Sequence, residues 1–278
     1  MNLSTKSRAE MGSKMIFESH AHYDDKAFDE DRDALLGSLR ENGIGYVLNI
    51  GANIQTTKNT VELAEKYPFI YGAAGVHPSD TDELDEEKME WLKAQCAHPK
   101  IVAVGEIGLD YYWDEPDREI QKKWFERQLQ LAREVKLPVV IHSRDAAKDT
   151  LDIMKAARGE ELGGVVHCFS YTKEIAREYL DMGYFFGIGG VVTFQNGKKL
   201  KEVVEYLPIE KILLETDSPY LAPVPYRGKR NSSLHIPLIA EEIAKIKGMD
   251  YDDVVNITEA NAKKLFGIGR MGGQGWQR

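Results

Sequence analysis

Eight times between Met15 and Phe266 a short apolar run, rich in β-branched residues, gives way to a longer amphipathic segment, and this alternation limits the folds open to the chain. The runs are MIFES from Met15, YVLNIG from Tyr46, FIYGAAGV from Phe69, IVAVGEIG from Ile101, LPVVIH from Leu137, GVVHCF from Gly164, YFFGIGG from Tyr184 and KILLETD from Lys211. Such runs read as strands buried on both faces, and the segments between them as crossover helices, which is the pattern of repeated βα units and a parallel sheet. In REIQKKWFERQLQLAREVK, from Arg118, the residues Ile120, Trp124, Leu129, Leu131 and Ala132 recur at near-helical spacing. Two further helical segments, LHIPLIAEEIAKIKG and YDDVVNITEANAKKLFG, follow the eighth run.

Eight such units in 278 residues close most simply into a (β/α)8 TIM barrel of the α/β class. An open doubly wound sheet is the alternative. It is disfavoured because no glycine-rich dinucleotide fingerprint follows the first strand, and GIGG at Gly187 to Gly190 lacks the spacing of the third glycine. No Pro- or Ser-rich linker divides the chain, so residues 15–268 are expected to form one domain. Residues 1–14 are polar, lack the apolar centre of an export signal, and read as a tag or flexible extension. The glycine-rich stretch 269–278 reads as a flexible tail.

Hydrophobic residues make up 42% of the chain and charged residues 29%, enough for a sizeable core in a soluble protein. No run approaches the ~18 apolar residues of a membrane span. Cys96 and Cys168 are the two cysteines, which excludes a disulfide framework and points to a reducing cytoplasm. A net charge of -9 argues against nucleic acid held on a broad basic face, so a phosphate-bearing substrate needs local help.

In a barrel the working residues sit at the carboxyl ends of the strands. Five runs carry a metal-ligand type there: His20 and His22 on the first, Glu106 on the fourth, His142 on the fifth, His167 on the sixth and Asp217 on the eighth. His20 and His22 are two apart, so in extended chain both turn to one side. A lone histidine at a strand end is more often a hydrogen-bonded structural residue, and Asp217 taken alone reads equally as a turn residue before Pro219. Five strand ends in agreement reverse that reading.

Mixed imidazole and carboxylate donors suit zinc, manganese, magnesium, iron, cobalt or nickel rather than calcium. Four histidines and two carboxylates exceed what one tetrahedral catalytic ion needs, so two divalent metal ions are expected. Glu106 is the candidate bridge, with His20, His22 and Asp217 on one ion and His142 and His167 on the other. Two such ions activate water for in-line attack on phosphorus, with Asp217 and Glu106 as the catalytic carboxylates. The phosphate loops of nucleotide-binding enzymes are absent, so no nucleotide cofactor is expected.

These motifs together resemble the TatD family of metal-dependent deoxyribonucleases, within the amidohydrolase-like barrels. The resemblance rests on SHAHYDD from Ser19, GVHPSD from Gly75, GEIGLDYY from Gly105, IHSRDA from Ile141, HCFS from His167 and ETDSPYL from Glu215, in order across nearly the whole chain. It implies a hydrolase cutting DNA phosphodiester bonds, acting from the 3′ end of single strands. The family's ligand positions fall on the six residues named above. Its GVHP histidine falls on His77, as a substrate-phosphate contact or, alternatively, a capping histidine. Where many members have glycine after HCFS this chain has Tyr171, and where many have Arg-Asn-Glu-Pro it has Arg230, Asn231, Ser232 and Ser233.

Further substrate contacts are expected from Arg144, which follows His142 by two, and from Arg227 and Arg230 in YRGKRN. Tyr111, Tyr112 and Trp113 are of the type that stacks on bases or merely packs. Cys168 is expected to face away from His167 if that segment stays extended. Asp24 and Asp25 read as turn residues or as a cap for a helix from Phe28. An amide or ester hydrolase using the same metal site is the rival enzyme class. A non-catalytic binding protein on a silent barrel would lack ligands, and none is missing.

Overall fold

The computed structural model describes residues 15–113 and 115–269. The expected extension at 1–14 lies outside the described residues, as does the expected tail beyond Gly269. Eight strands form one sheet: β1 Ile16–Ala21, β2 Ile44–Ile50, β3 Ile70–Ala74, β4 Ile101–Asp110, β5 Val139–Arg144, β6 Gly164–Val166, β7 Phe185–Ile188 and β8 Ile212–Leu214. Each pairs in parallel with the next in chain order.

β8 returns to β1 just past its own end. Asp217 N–H donates to the His20 carbonyl at 2.9 Å, His22 N–H to the Ser218 carbonyl at 2.8 Å, and Ser19 Oγ–H to the Leu214 carbonyl at 2.9 Å. The sheet is therefore a (β/α)8 barrel, as the eight apolar runs require.

The helices are α1 Arg32–Ser38, α2 Ile54–Lys66, α3 Glu86–Gln95, α4 Arg118–Val135, α5 Ala147–Ala156, α6 Lys173–Asp181, α7 Lys198–Tyr206, α8 Ile236–Lys247 and α9 Tyr251–Phe266. One buried cluster packs strands against the helical shell, including Leu36, Leu63, Met89, Trp124 and Ile239. A second takes at least one residue from each strand, such as Phe17, Leu48, Val140, Val165 and Leu213, as the filled interior of a barrel does.

α4 departs from its expected stripe. Ile120 is 39% exposed, whereas Gln121 and Gln128 are buried. Their amides replace apolar contact with hydrogen bonds: Gln121 accepts from the Asp110 N–H and donates to its carbonyl, and Gln128 does the same for Val76. These backbone groups at strand ends lack a ladder partner there, and burying them unpaired costs about 1–3 kcal/mol each. α4 thus anchors the strand ends that carry the site. The helix expected from Phe28 is instead a short 3-10 turn, Lys26–Phe28, capped by Asp25 through the Ala27 N–H. Among the described residues no helix is long and apolar enough to cross a membrane.

Candidate metal centre

His20 and His22, two apart at the end of β1, turn to one side, and His20 is fully buried. β4 brings Glu106. Its register against β5 shifts between Val104 and Ile107, an interval that contains Glu106, and such irregularities re-aim a side chain. Two residues on, Gly108 has φ +148°, and a Cβ there would stand 1.8 Å from the His142 carbonyl oxygen. Glycine is what lets β4 approach β5 closely enough to set Glu106 beside His142. His167 follows β6 and is fixed by its N–H to the Ile141 carbonyl. Asp217 sits past β8 at φ +57°, its carbonyl accepting from Tyr220 N–H in a turn while its carboxylate faces the centre.

Four histidines converge on the two oxygens of Glu106, and Asp217 joins the first pair. Oε2 lies 3.3 Å from His20 Nε2 and 3.7 Å from His22 Nε2, and Asp217 Oδ1 lies 3.7 and 3.5 Å from the same two nitrogens. Oε1 lies 2.7 Å from both His142 Nδ1 and His167 Nε2. One carboxylate thus faces two separate donor sets.

The donor chemistry fits cations. His22 commits its Nδ1–H to the Ile50 carbonyl at 3.0 Å, and His142 its Nε2–H to Asp110 Oδ2 at 3.0 Å. In their neutral forms each then turns an unprotonated nitrogen toward carboxylate oxygens. Lone pairs facing lone pairs at 2.7–3.7 Å require a positive charge between them, either protons or metal ions. The electrostatics agree. Against the cost of burial, Asp217 and Glu106 push His22 up to about 9. Asp110 and Glu106 push His142, equally buried, up to about 9. Burial also opposes ionisation of Glu106 and Asp217, but the surrounding histidines outweigh it and hold both below the usual carboxylate range. Burial and the neighbouring His167 push His20 down to about 4.

Three carboxylates escaped the sequence reading. Asp110, at the end of β4, is buried and sets the orientation of His142. Glu18 lies beneath His20, accepting from the hydroxyls of Thr216 and Ser233 and from the Thr216 N–H, and ties β1 to the β8 end. Glu215 accepts from the Cys168 N–H at 2.6 Å, with Oε1 3.8 Å from His167 Nδ1. Burial pushes Glu18 up to about 7 and Glu215 up to about 8. The alternation that selects Glu106 also reaches Asp110, so Asp110 was recoverable from strand periodicity, whereas the register of β1 shifts between Glu18 and Ala21 and gives no such signal for Glu18.

His77 combines its two readings. Its Nδ1 accepts from the Ser79 N–H at 3.1 Å, capping the 3-10 turn Pro78–Glu83, which leaves the proton on Nε2, 3.8 Å from Glu106 Oε1. Burial and His142 push His77 down to about 3, so it stands neutral as a hydrogen-bond donor. A cavity of about 850 Å³ opens over the centre, lined by His22, His77, Glu106, His142, His167 and Asp217, with Arg144, Trp113 and Tyr220 farther out. Arg227 and Arg230 are not among its lining residues. The Arg227 guanidinium lies over Phe194, and Arg230 forms a two-pronged pair with Asp31 at 2.6 and 2.7 Å. Cys168 does not face away as expected: φ +44° breaks the extended run, and the residue lines the cavity beside His167. Tyr171 packs its hydroxyl between Ser143 Oγ and Ala146 N–H. Asp24 accepts from the Asn49 side chain and lines the cavity.

The family model described as TatD related DNase matches residues 17–267. The chain is 42% identical over 254 residues to a Bacillus subtilis strain 168 protein named "Uncharacterized metal-dependent hydrolase YabD", covering 91% of this chain and all of that one. It is 34% identical to the "3'-5' ssDNA/RNA exonuclease TatD" of Citrobacter rodentium, covering 91% of this chain and 98% of that one. Among solved structures, the Escherichia coli K12 TatD homolog YJJV superposes with a TM-score of 0.87 at 28% identity, covering 92% of this chain and 100% of the other. With a match along nearly its whole length, the chain belongs to the TatD-related DNase family of metal-dependent hydrolases.

Proposed function

We propose that this protein is a divalent-metal-dependent deoxyribonuclease with a two-metal centre, trimming single strands from the 3′ end. The observation that supports it best is the division of the Glu106 carboxylate, with Oε2 toward His20, His22 and Asp217 and Oε1 toward His142 and His167. On this reading Glu106 with His20, His22 and Asp217 would hold one ion, and Glu106 with His142 and His167 would hold the other. When bound, such ions make water nucleophilic near neutral pH and offset the charge that builds on phosphoryl oxygens.

The chain's own groups supply the rest. Asp217, held ionised by its histidine neighbours, orients the attacking water and accepts its proton. His77 Nε2–H donates to a phosphate oxygen, and Arg144 places a positive charge on the cavity wall. The exonuclease name of the Citrobacter relative supports DNA as substrate and the 3′ end as the point of attack. Two unpaired cysteines support a cytoplasmic location.

The test is to strip the protein of metal and incubate it with end-labelled single-stranded DNA and an ester and amide panel, with and without each divalent ion. DNA is expected to shorten from its 3′ end only when metal is restored, and Glu106→Ala to lower kcat/KM at least about a thousandfold. Intact DNA beside a cleaved ester or amide would overturn the substrate assignment.

A further inference from the structure

Three aromatic residues follow β4, and the structure separates their roles. Tyr111 is committed inward: its hydroxyl donates to Asp149 Oδ2 at 2.8 Å, and the Arg118 guanidinium lies 4.3 Å above its ring. Tyr112 and Trp113 are 54% and 58% exposed and meet edge to face, with ring centroids 4.7 Å apart. The Arg144 guanidinium covers the Tyr112 ring at 3.8 Å. Single exposed aromatics need no explanation. These two are braced together, the cation covers Tyr112, and Trp113 and Arg144 line the same cavity as Glu106, His142 and Asp217.

The group is also tied mechanically to the centre. Tyr112 N–H donates to Asp110 Oδ1 at 2.9 Å, and the other oxygen of that carboxylate holds His142. Tyr111 N–H donates to the Arg144 carbonyl at 2.9 Å, carrying the β4–β5 ladder one residue beyond the strand. The aromatic pair therefore keeps a fixed position relative to His142.

Charge says what this surface must do. Among the described residues Arg144 is the one Arg or Lys lining the cavity, which also presents Asp24, Asp25, Glu106, Asp110 and Asp217. A polyanion cannot be gripped there by a basic groove. Base stacking adds a contact that needs no further cation, and it tolerates any sequence because every base has a π-face.

We propose that Trp113, braced by Tyr112, whose ring Arg144 covers, is the platform on which an unpaired nucleobase of the substrate stacks beside the scissile phosphate. This deepens the nuclease reading and rests on it. Stacking binds the base alike in ground and transition states, so its loss belongs in KM rather than kcat.

The experiment compares wild type, Trp113→Ala and Trp113→Phe, each metal-loaded, on oligonucleotides that are intact or carry one abasic site at successive terminal positions. Binding is read in parallel by anisotropy with a cleavage-resistant phosphorothioate oligonucleotide. Trp113→Ala is expected to raise KM and Kd about tenfold or more with kcat within about twofold, and Trp113→Phe to restore most of the loss. At one position the abasic substrate should reproduce this loss in wild type and add nothing in Trp113→Ala. Wild-type binding by Trp113→Ala, or an abasic penalty that persists in full in that variant, would overturn the platform and leave the nuclease reading standing. If wild type binds the oligonucleotide through Trp113 but leaves it uncut whichever divalent ion is supplied, the nuclease reading fails and the platform survives. Absence of any oligonucleotide binding by wild type overturns both.

Discussion

A carboxylate outside the proposed ligand set decides which nitrogen of His142 faces the centre. Asp110 takes the Nε2–H, so Nδ1 is turned toward Glu106. Removing such a partner loosens both tautomer and ring orientation. Asp110→Ala is therefore expected to weaken divalent-metal affinity about 10–100-fold with the fold retained, as read by competition with a chelating dye. Unchanged affinity would assign Asp110 a purely structural role. At this scale the sequence was readable wherever strand periodicity applied: His20, His22, Glu106, His142, His167 and Asp217 do meet at one end of the barrel. It was unreadable in loops. Nearness to Asp217 along the chain drew Arg230 toward the site on paper, whereas Asp31, 199 residues away, holds it elsewhere. Nor does extended-chain geometry foresee a positive φ at Cys168.

Among the elements, β4 bears the most constraint, since it carries Glu106, Asp110 and the aromatic pair beyond them. Its course depends on Gly108, where a side chain would collide with the β5 backbone at His142. Gly108→Ala is expected to cost about 3 kcal/mol or more and to lower Tm by roughly 5–10 °C, measured by thermal unfolding. A variant with wild-type Tm would show that β4 and β5 can separate without cost. All eight strands were legible because strands buried on both faces leave continuous apolar runs. Helix faces were less so. In α4 the stripe was misplaced around Ile120 because Gln121 and Gln128 take buried positions to satisfy backbone groups of other elements, a demand that no local periodicity records.

For the molecule as a whole, the net charge of -9 and a cavity lined, among the described residues, by a single arginine mean that few substrate phosphates are neutralised by side chains. Each such contact contributes roughly -0.7 to the slope of log affinity against log salt for a single strand. At fixed divalent-ion concentration the slope for oligonucleotide binding is expected to lie between 0 and about -1. A slope steeper than about -3 would reveal a basic substrate track outside the cavity.

Barrel closure has a consequence for the order in which the chain is made. His20 and His22 leave the ribosome early, but the backbone partners that seat them, and Asp217 opposite, belong to the segment just past β8. A nascent chain stopped short of β8 carries five of the six converging side chains and no closed barrel to hold them. Hydrolytic capacity is thereby postponed until synthesis has passed Ser218, and a truncated translation product is a chain without an assembled centre.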